Sequence, residues 1–219
     1  MIIKKAIILA GGSGTRLKPI TSIINKHLLN IYDKPLIYYP ISTVLLAGIR
    51  EILLIANKDQ IIFFQSLLGD GKLFGMKIEY AIQENPNGLP EAFTIGEKFV
   101  GKDPICLNLG DHILFGQGLP DLLESKFNNF KTNTIFSLES LNTRDYGVIE
   151  FDKRGKPKKI IEKPKKTLSK NIITGIYAFS NEVLELSKKL KKSSRGELEM
   201  SDLNNYFLKN NKLEVTHLG

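Results

Sequence analysis

Short apolar runs alternate with longer amphipathic stretches through the first 140 residues of the chain. The apolar runs predict strands over 5–10, 51–56, 77–83, 104–111 and 133–140. The stretches between them have the apolar spacing of helices and cover 36–49, 59–68, 91–100 and 119–130. Short strands that alternate with helices are typical of an α/β fold with a doubly wound, mostly parallel sheet. In such sheets the loops that follow the strands bind ligands.

The regular alternation ends after residue 140. The remaining predicted elements are two strands within 146–164 around an Asp-Lys-Arg-Gly turn, a strand over 171–179, helices over 181–190 and 200–210, and a strand that begins at 212. Ser201 is a plausible N-cap for the second of these helices. No internal repeat or low-complexity linker is visible, so we expect a single domain over 1–219.

Composition and charge narrow the class of protein only moderately. The chain is 42% hydrophobic and 25% charged, as expected for a globular protein. It has no apolar run of about 18 residues, so we expect no membrane span. The single cysteine, Cys106, lies in an apolar run, which together with the absence of a signal peptide favours the cytoplasm. The net charge is +8, but its densest cluster, 153–170, has few aromatic residues and is best interpreted as a solvated hairpin, not a nucleic-acid site.

The strongest chemical signal is a glycine-rich loop that follows the first predicted strand, in the sequence AIILAGGSGTRLKPIT (6–21). Glycines allow the backbone to approach a ligand closely, and successive N–H groups can point at phosphate oxygens. Arg16 and Lys26 add positive charge next to the loop. Neither a Walker A sequence nor a G-x-G-x-x-G fingerprint is present. The loop therefore predicts a phosphate site of another kind.

These residues resemble the sugar-nucleotide pyrophosphorylases, and within them most closely the glucose-1-phosphate thymidylyltransferases. The resemblance runs in order along essentially the whole chain. Its motifs are LAGGSGTRLKPIT, YDKPLIYYP, QSLLGDG, YAIQENPNGLPEAF, LNLGDHILFG, RDYGVIEFD, IIEKP, TGIYAF and RGELEMSDLN. It implies one nucleotidyltransferase domain with a Rossmann-like, doubly wound mixed sheet, a nucleotide-binding half at 1–140 and a sugar-binding half at 141–219.

The activity that the resemblance implies is the reaction of dTTP with α-D-glucose 1-phosphate to give dTDP-glucose and pyrophosphate, with Mg²⁺ as cofactor. The product would serve deoxysugar, dTDP-rhamnose and surface-polysaccharide synthesis. The family also implies a homo-oligomer, commonly a tetramer, with no nucleic-acid or membrane partner. Such chemistry needs positioning and charge neutralisation more than covalent catalysis.

The resemblance also assigns site residues. Arg16 and Lys26 would be catalytic, and Asp111 would bind the metal. The nucleotide would contact Leu9, Gly11, Gly12, Ser13, Gly14, Thr15, Gln83 and Gly88. The sugar phosphate would contact Gly147, Glu162, Lys163, Thr174, Tyr177 and Arg195.

Two departures from the family pattern bear on activity. Asn30 stands where the family usually has Pro, which would loosen the segment after Lys26. The family's second metal carboxylate lies in a segment with a Trp and an Asp-Thr-Gly run, whereas this sequence ends at Gly219 and contains no Trp. We therefore expect an incomplete C-terminal part: a fragment, a weak enzyme, or one in which another acid substitutes. The rival hypotheses are a uridylyl-type pyrophosphorylase and a truncated, non-catalytic nucleotide-sugar-binding module.

Overall fold

The computed structural model describes residues 1–12 and 14–218. The strands are β1 (Lys5–Leu9), β2 (Asn30–Ile31), β3 (Lys34–Pro35), β4 (Glu51–Ala56), β5 (Lys77–Ile82), β6 (Ile105–Leu109), β7 (Asn133–Glu139), β8 (Gly147–Phe151), β9 (Pro157–Glu162), β10 (Asn171–Phe179) and β11 (Leu213–His217). The helices are α1 (Tyr38–Leu46), α2 (Ile61–Leu68), α3 (Glu91–Ile95), α4 (Glu97–Val100), α5 (Leu119–Asn128), α6 (Glu182–Lys189) and α7 (Met200–Lys209). Single 3₁₀ turns occupy Thr15–Leu17, Ile20–Ser22, Lys26–Leu28 and Lys72–Phe74.

Nine of the described strands form one mixed sheet, as the sequence predicts. Its central order is β11-β7-β10-β6-β1-β4-β5, and β8 and β9 branch from β10. Strands β6, β1, β4 and β5 run parallel to one another, whereas β10 is antiparallel to both of its neighbours β6 and β7. The second half of the chain therefore supplies a central strand, and one sheet continues across the boundary at residue 140.

Both faces of the sheet are covered, which explains the continuous apolar runs in its strands. Along β1, Ala6 and Ile8 face one hydrophobic cluster while Ile7 and Leu9 face the other. The first cluster includes side chains from α1, α2 and α5, and the second includes side chains from α3, α6 and α7. No helix in the described part of the chain combines the length and hydropathy that a membrane span requires.

Three local predictions were wrong in detail. The helix predicted over 91–100 is broken at Gly96, where an added Cβ would lie 2.8 Å from Ile7 Cδ1, so the glycine lets the chain pack directly on the sheet. The N-cap position of α7 is Glu199, and Ser201 lies inside the first turn. Strand β6 ends at Leu109, so Asp111 belongs to the loop after it.

Candidate active site

A cavity of about 690 Å³ lies beyond the carboxyl ends of β1 and β6. It brings together predicted residues from both halves of the chain. These are Gly12, Gly14, Thr15, Arg16, Lys26, Asp111, Gly147, Glu162, Lys163, Thr174, Tyr177 and Arg195. Leu9, Gly11, Gln83 and Gly88 are not among its lining residues, and Ser13 lies outside the described residues.

The glycine loop leaves the end of β1 in a conformation that few other residues adopt. Gly12 has φ +99° and Gly14 has φ +55°, both in the left-handed region. The Thr21 hydroxyl donates to the Gly14 carbonyl at 2.7 Å and closes the loop. At Gly11 an added Cβ would lie 2.8 Å from Gln83 Oε1. Because Gly11 has no side chain, the Gln83 amide can pack closely against the backbone of the loop.

Arg16 reaches across the cavity to an acid that sequence reasoning missed. Its Nη2 atom lies 2.7 Å from Oδ1 of Asp145, which precedes β8. The Arg16 side chain is 76% exposed and that of Asp145 is 42% exposed, so the pair is well solvated. An anion in the cavity would compete with Asp145 for this guanidinium group.

Lys26 and Asp111 form a second ion pair, with 2.5 Å between Nζ and Oδ2. Burial raises the pKa of the Asp111 carboxyl, but Lys26, together with His27 and His112, outweighs burial and the pKa is lowered. Asp111 is therefore ionised and stands next to a cation in the wall of the cavity.

A buried polar network fixes the turn that carries Lys26. Asn25 Nδ2 donates to the Ala10 carbonyl at 3.1 Å, and Asn25 Oδ1 accepts from the His27 N–H at 2.9 Å. Burial, reinforced by Lys26, lowers the pKa of His27 to about 3, so its ring is neutral. The network attaches the Lys26 turn to the end of β1.

The donor set around Asp111 suits a hard cation that also binds phosphate. Within residues 1–12 and 14–218, no group of three or more His, Cys, Asp or Glu side chains could hold a metal ion on its own. Mg²⁺ usually takes only one or two protein carboxylates, and substrate phosphates and water supply the rest. Asp111, an ionised carboxylate in the cavity wall, fits that requirement.

From the second half of the chain, Gly147 and Glu162 line the cavity and pair with each other in the β8–β9 register. Burial, with a further contribution from Glu199, raises the pKa of Glu162, against the opposing effects of Lys163 and Arg195. Lys163 follows directly in a left-handed conformation, φ +40°, and its N–H donates to the Tyr146 carbonyl at 3.0 Å. The end of β9 therefore presents a carboxyl group and an ammonium group on adjacent residues.

Arg195 is held by carboxylates that were not predicted as site residues. Its Nη2 atom lies 2.9 Å from Glu197 Oε2, and its Nε atom lies 3.5 Å from Glu199 Oε1. Glu199 also accepts from the Ser193 hydroxyl at 2.6 Å. These contacts aim Arg195 into the cavity from the loop before α7.

Two predicted sugar contacts line the cavity with limited hydrogen-bonding capacity. The Thr174 hydroxyl donates to the Phe136 carbonyl at 3.1 Å, so its proton is already used within the sheet. Tyr177 is 5% exposed, and its ring stacks on Phe179 with 6.0 Å between centroids. Burial, with Glu162 nearby, raises the pKa of the Tyr177 hydroxyl. Both side chains therefore contribute mainly packed surface to the cavity wall.

Gln83 and Gly88, the predicted base contacts, lie beside the cavity. Gln83 is 4% exposed and its Nε2 donates to Glu91 Oε2 at 2.7 Å. Gly88 has φ +113° and forms a backbone bridge with Leu198, whose carbonyl oxygen would be only 2.2 Å from an added Cβ. Gly88 thus joins the loop before α3 to the segment that carries Arg195.

Seven further residues of the cavity wall were given no site role from the sequence. They are His112, Asp145, Tyr146, Glu197, Glu199, Ser201 and Asn204. The motifs RDYG and GELEMSDLN contain six of them. The resemblance assigned a role within or next to these motifs only to Gly147 and Arg195.

The mixed sheet, the glycine loop and a cavity lined by cations from both halves of the chain are typical of a phosphate-handling α/β enzyme. The profile of the family described as "Nucleotidyl transferase" matches residues 5–219, and the chain belongs to that family.

Individual relatives narrow the class. A glucose-1-phosphate thymidylyltransferase of Neisseria meningitidis is 47% identical over 215 residues, which are 98% of this chain and 75% of that protein. One from Xanthomonas campestris is 48% identical over 216 residues, which are 99% of this chain and 73% of that protein. The chain spans about three quarters of the length of these relatives, and the resemblance to the glucose-1-phosphate thymidylyltransferases is confirmed.

Solved structures agree with the fold. A Bacillus anthracis crystal structure with a bound sucrose superposes with a TM-score of 0.89 and 36% identity, and covers 98% of this chain and 87% of that one. A UDP-glucose pyrophosphorylase in complex with UDP-glucose has a TM-score of 0.87 at 23% identity, and covers 99% of this chain and 90% of that one. The second likeness concerns the fold alone.

Proposed function

We propose that the chain transfers a thymidylyl group from dTTP to glucose 1-phosphate. The observation that carries the proposal is the shared cavity, which is lined by the glycine loop, Arg16 and Lys26 together with Lys163 and Arg195. Two polyanions can meet only where positive charge offsets their repulsion. The names of the relatives supply the choice of dTTP and glucose 1-phosphate.

In the reaction, a phosphate oxygen of glucose 1-phosphate forms a bond to the α-phosphorus of dTTP. The bond from that phosphorus to the bridging oxygen of pyrophosphate breaks, and the electron pair leaves with pyrophosphate. Lys163 and Arg195 hold the attacking phosphate, and Glu162 accepts hydrogen bonds from sugar hydroxyl groups. Arg16 leaves Asp145, binds the triphosphate and offsets the charge that develops on the leaving group.

Lys26 and Asp111 act between the two substrates. Lys26 places its ammonium group against the phosphate oxygens while Asp111 keeps it oriented. We propose that Asp111 is also the protein ligand for Mg²⁺, which when bound would neutralise part of the charge of the phosphates. The turn that carries Lys26 is fixed by Asn25 and His27, so little reorganisation is needed when substrates bind.

Pyrophosphate release tests the proposal directly. The chain is incubated with dTTP, glucose 1-phosphate and Mg²⁺, and both pyrophosphate and dTDP-glucose are measured. Replacing dTTP with UTP, CTP or GTP determines the base preference, and omitting glucose 1-phosphate is the control for simple hydrolysis. A higher kcat/KM with UTP would favour the uridylyl-type alternative. Binding of dTTP without any turnover would favour the non-catalytic alternative.

The proposal includes two expectations about the cell. We expect the chain to form a homo-oligomer and to work in the cytoplasm. Size-exclusion chromatography with light scattering measures the first, and fractionation of cells that express the chain measures the second.

A further inference from the structure

Asn204 on α7 has a hydrogen-bonding capacity that the described chain does not use. Its side chain is 0% exposed, and within residues 1–12 and 14–218 neither Oδ1 nor Nδ2 has a hydrogen-bond partner. Most buried polar groups in folded proteins are paired, because an unpaired one loses its interaction with water and gains nothing in return. Asn204 also lines the cavity of the candidate active site.

Helix geometry directs the Asn204 amide towards the substrate side. Side chains on a helix tilt towards its N-terminus and cover positions three and four residues earlier. For Asn204 these positions are Ser201 and Met200, which line the same cavity. The next residue, Asn205, ties α7 to β9: its Oδ1 accepts from the Ile160 N–H at 3.0 Å and its Nδ2 donates to the Ile160 carbonyl at 2.7 Å. The helix is therefore held at a fixed distance from Glu162 at the end of β9.

The other buried polar side chains without a full set of partners differ from Asn204. Asn108 leaves Oδ1 unpaired, but its Nδ2 donates to the Pro40 carbonyl at 3.1 Å. Thr216 leaves its hydroxyl unpaired on β11. Neither lines the cavity. Among the described residues, Asn204 alone combines a free donor, a free acceptor and a position in the lining of the cavity.

We propose that Asn204 recognises a hydroxyl group of the sugar phosphate, an inference that rests on the proposed function. A hydroxyl is one donor and an acceptor, which matches an amide that offers both. The charged groups on this wall cannot match in the same way, since Glu162 as a carboxylate only accepts and Lys163 and Arg195 only donate. Asn204 thereby contributes to the choice of sugar.

Binding requires a small movement of the wall, because the amide is covered in the free chain. Met200 is the neighbour best suited to move, as its unbranched side chain adapts readily and is 4% exposed at the same wall. The hydroxyl group then fills both vacant positions of the amide. The free chain carries an unpaired amide, and the sugar complex does not.

The test is the substitution Asn204→Leu, which keeps the approximate volume and removes the amide. We expect the KM for glucose 1-phosphate to rise about 10- to 100-fold, which is the loss of affinity expected when a hydrogen bond to a buried group is removed. The KM for dTTP should stay within about twofold. The melting temperature of the free chain should rise, because a buried unpaired amide has been replaced by an apolar group. Asn108→Leu is the matched control, and it should lower the melting temperature and leave both KM values unchanged.

The 2-, 3-, 4- and 6-deoxy analogues of glucose 1-phosphate then identify the contact. If Asn204 meets a hydroxyl, one analogue shows a penalty in kcat/KM with the original chain that disappears in Asn204→Leu. Equal penalties for all four analogues in both chains would overturn the assignment of Asn204 while leaving the proposed function intact. An original chain that neither binds nor converts any of these sugar phosphates would overturn the proposed function and this assignment with it.

Discussion

Arg16 and Lys163 are cations from the two halves of the chain that line one cavity, and we expect them to act at different stages. Arg16→Ala should lower kcat by roughly 10²–10³-fold, because its charge matters most as pyrophosphate departs. Lys163→Ala should mainly raise the KM for glucose 1-phosphate, because it binds a group that is already charged in the ground state. Steady-state kinetics with each substrate varied separates the two effects. Lys158→Ala, an exposed cation outside the cavity, is the control, and the same defect in both site variants would contradict the division of roles.

Asp145 should compete with the triphosphate for Arg16. Asp145→Asn is therefore expected to lower the KM for dTTP by a few fold, since the guanidinium group no longer has to leave a carboxylate. The free energy of unfolding should change by less than about 1 kcal/mol, because the pair is exposed. Initial rates and a denaturant titration measure these quantities. Asp70→Asn removes the partner of Lys72 in another exposed pair and should leave the KM unchanged, whereas a raised KM in Asp145→Asn would show that the acid supports binding.

The sequence predicted individual cations and carboxylates better than their pairings. Arg16, Lys26, Glu162 and Lys163 were expected at the site, and the structure places them at one cavity. The partner of Arg16 is 129 residues away along the chain, and such a pair leaves no spacing signal. Asn204 was missed for a related reason, since an asparagine in an amphipathic helix is not visibly unpaired until its neighbours are known.

At the scale of elements, one glycine contact joins the loop before α3 to the loop before α7. Gly88→Ala would place a Cβ 2.2 Å from the Leu198 carbonyl oxygen, in addition to the strain of φ +113°. We expect the free energy of unfolding to fall by at least about 2 kcal/mol and the KM values of both substrates to rise, because the segment that carries Arg195 must move. Denaturant unfolding and steady-state kinetics measure both effects.

Gly48→Ala is the matched control for this substitution. Gly48 has φ +84° and no atom within 4 Å of an added Cβ, so it reports the conformational cost alone. We expect a loss of about 1 kcal/mol and normal kinetics. If the two variants lost the same stability and kept the KM values of the original chain, the contact with Leu198 would have no effect on substrate binding.

Most strands and helices were predicted to within about three residues at each end, and the larger differences have physical causes. The strand over 51–56 matches β4 at both ends. The break at Gly96 depends on contact with side chains of β1 and β4, which no local pattern contains. The two-residue strands β2 and β3 are too short for any alternation to be visible. The antiparallel direction of β10 depends on connections over the whole chain.

At the scale of the molecule, Cys106 reports on the integrity of the central sheet. The thiol is fully buried in β6, and burial raises its pKa, so it stays protonated and unreactive. We expect a thiol reagent such as iodoacetamide to label the native chain at the rate of global unfolding, and to label the denatured chain within minutes at pH 8. Mass spectrometry follows the label. Fast labelling of the native chain would mean that β6 opens locally.

Strand β7 has β10 on one side and β11 on the other, and both of these follow it in the chain. During synthesis, β7 therefore has no strand to pair with while the next 30 residues or more are added. One edge of β6 also stays unpaired until β10 has been synthesised. The first 140 residues, released early from a stalled ribosome, would display open edges of both strands, and such edges pair readily with other chains. The open edges of β6 and β7 are thus covered only late in synthesis. We expect a nascent chain that pauses before residue 179 to depend on a chaperone to prevent aggregation.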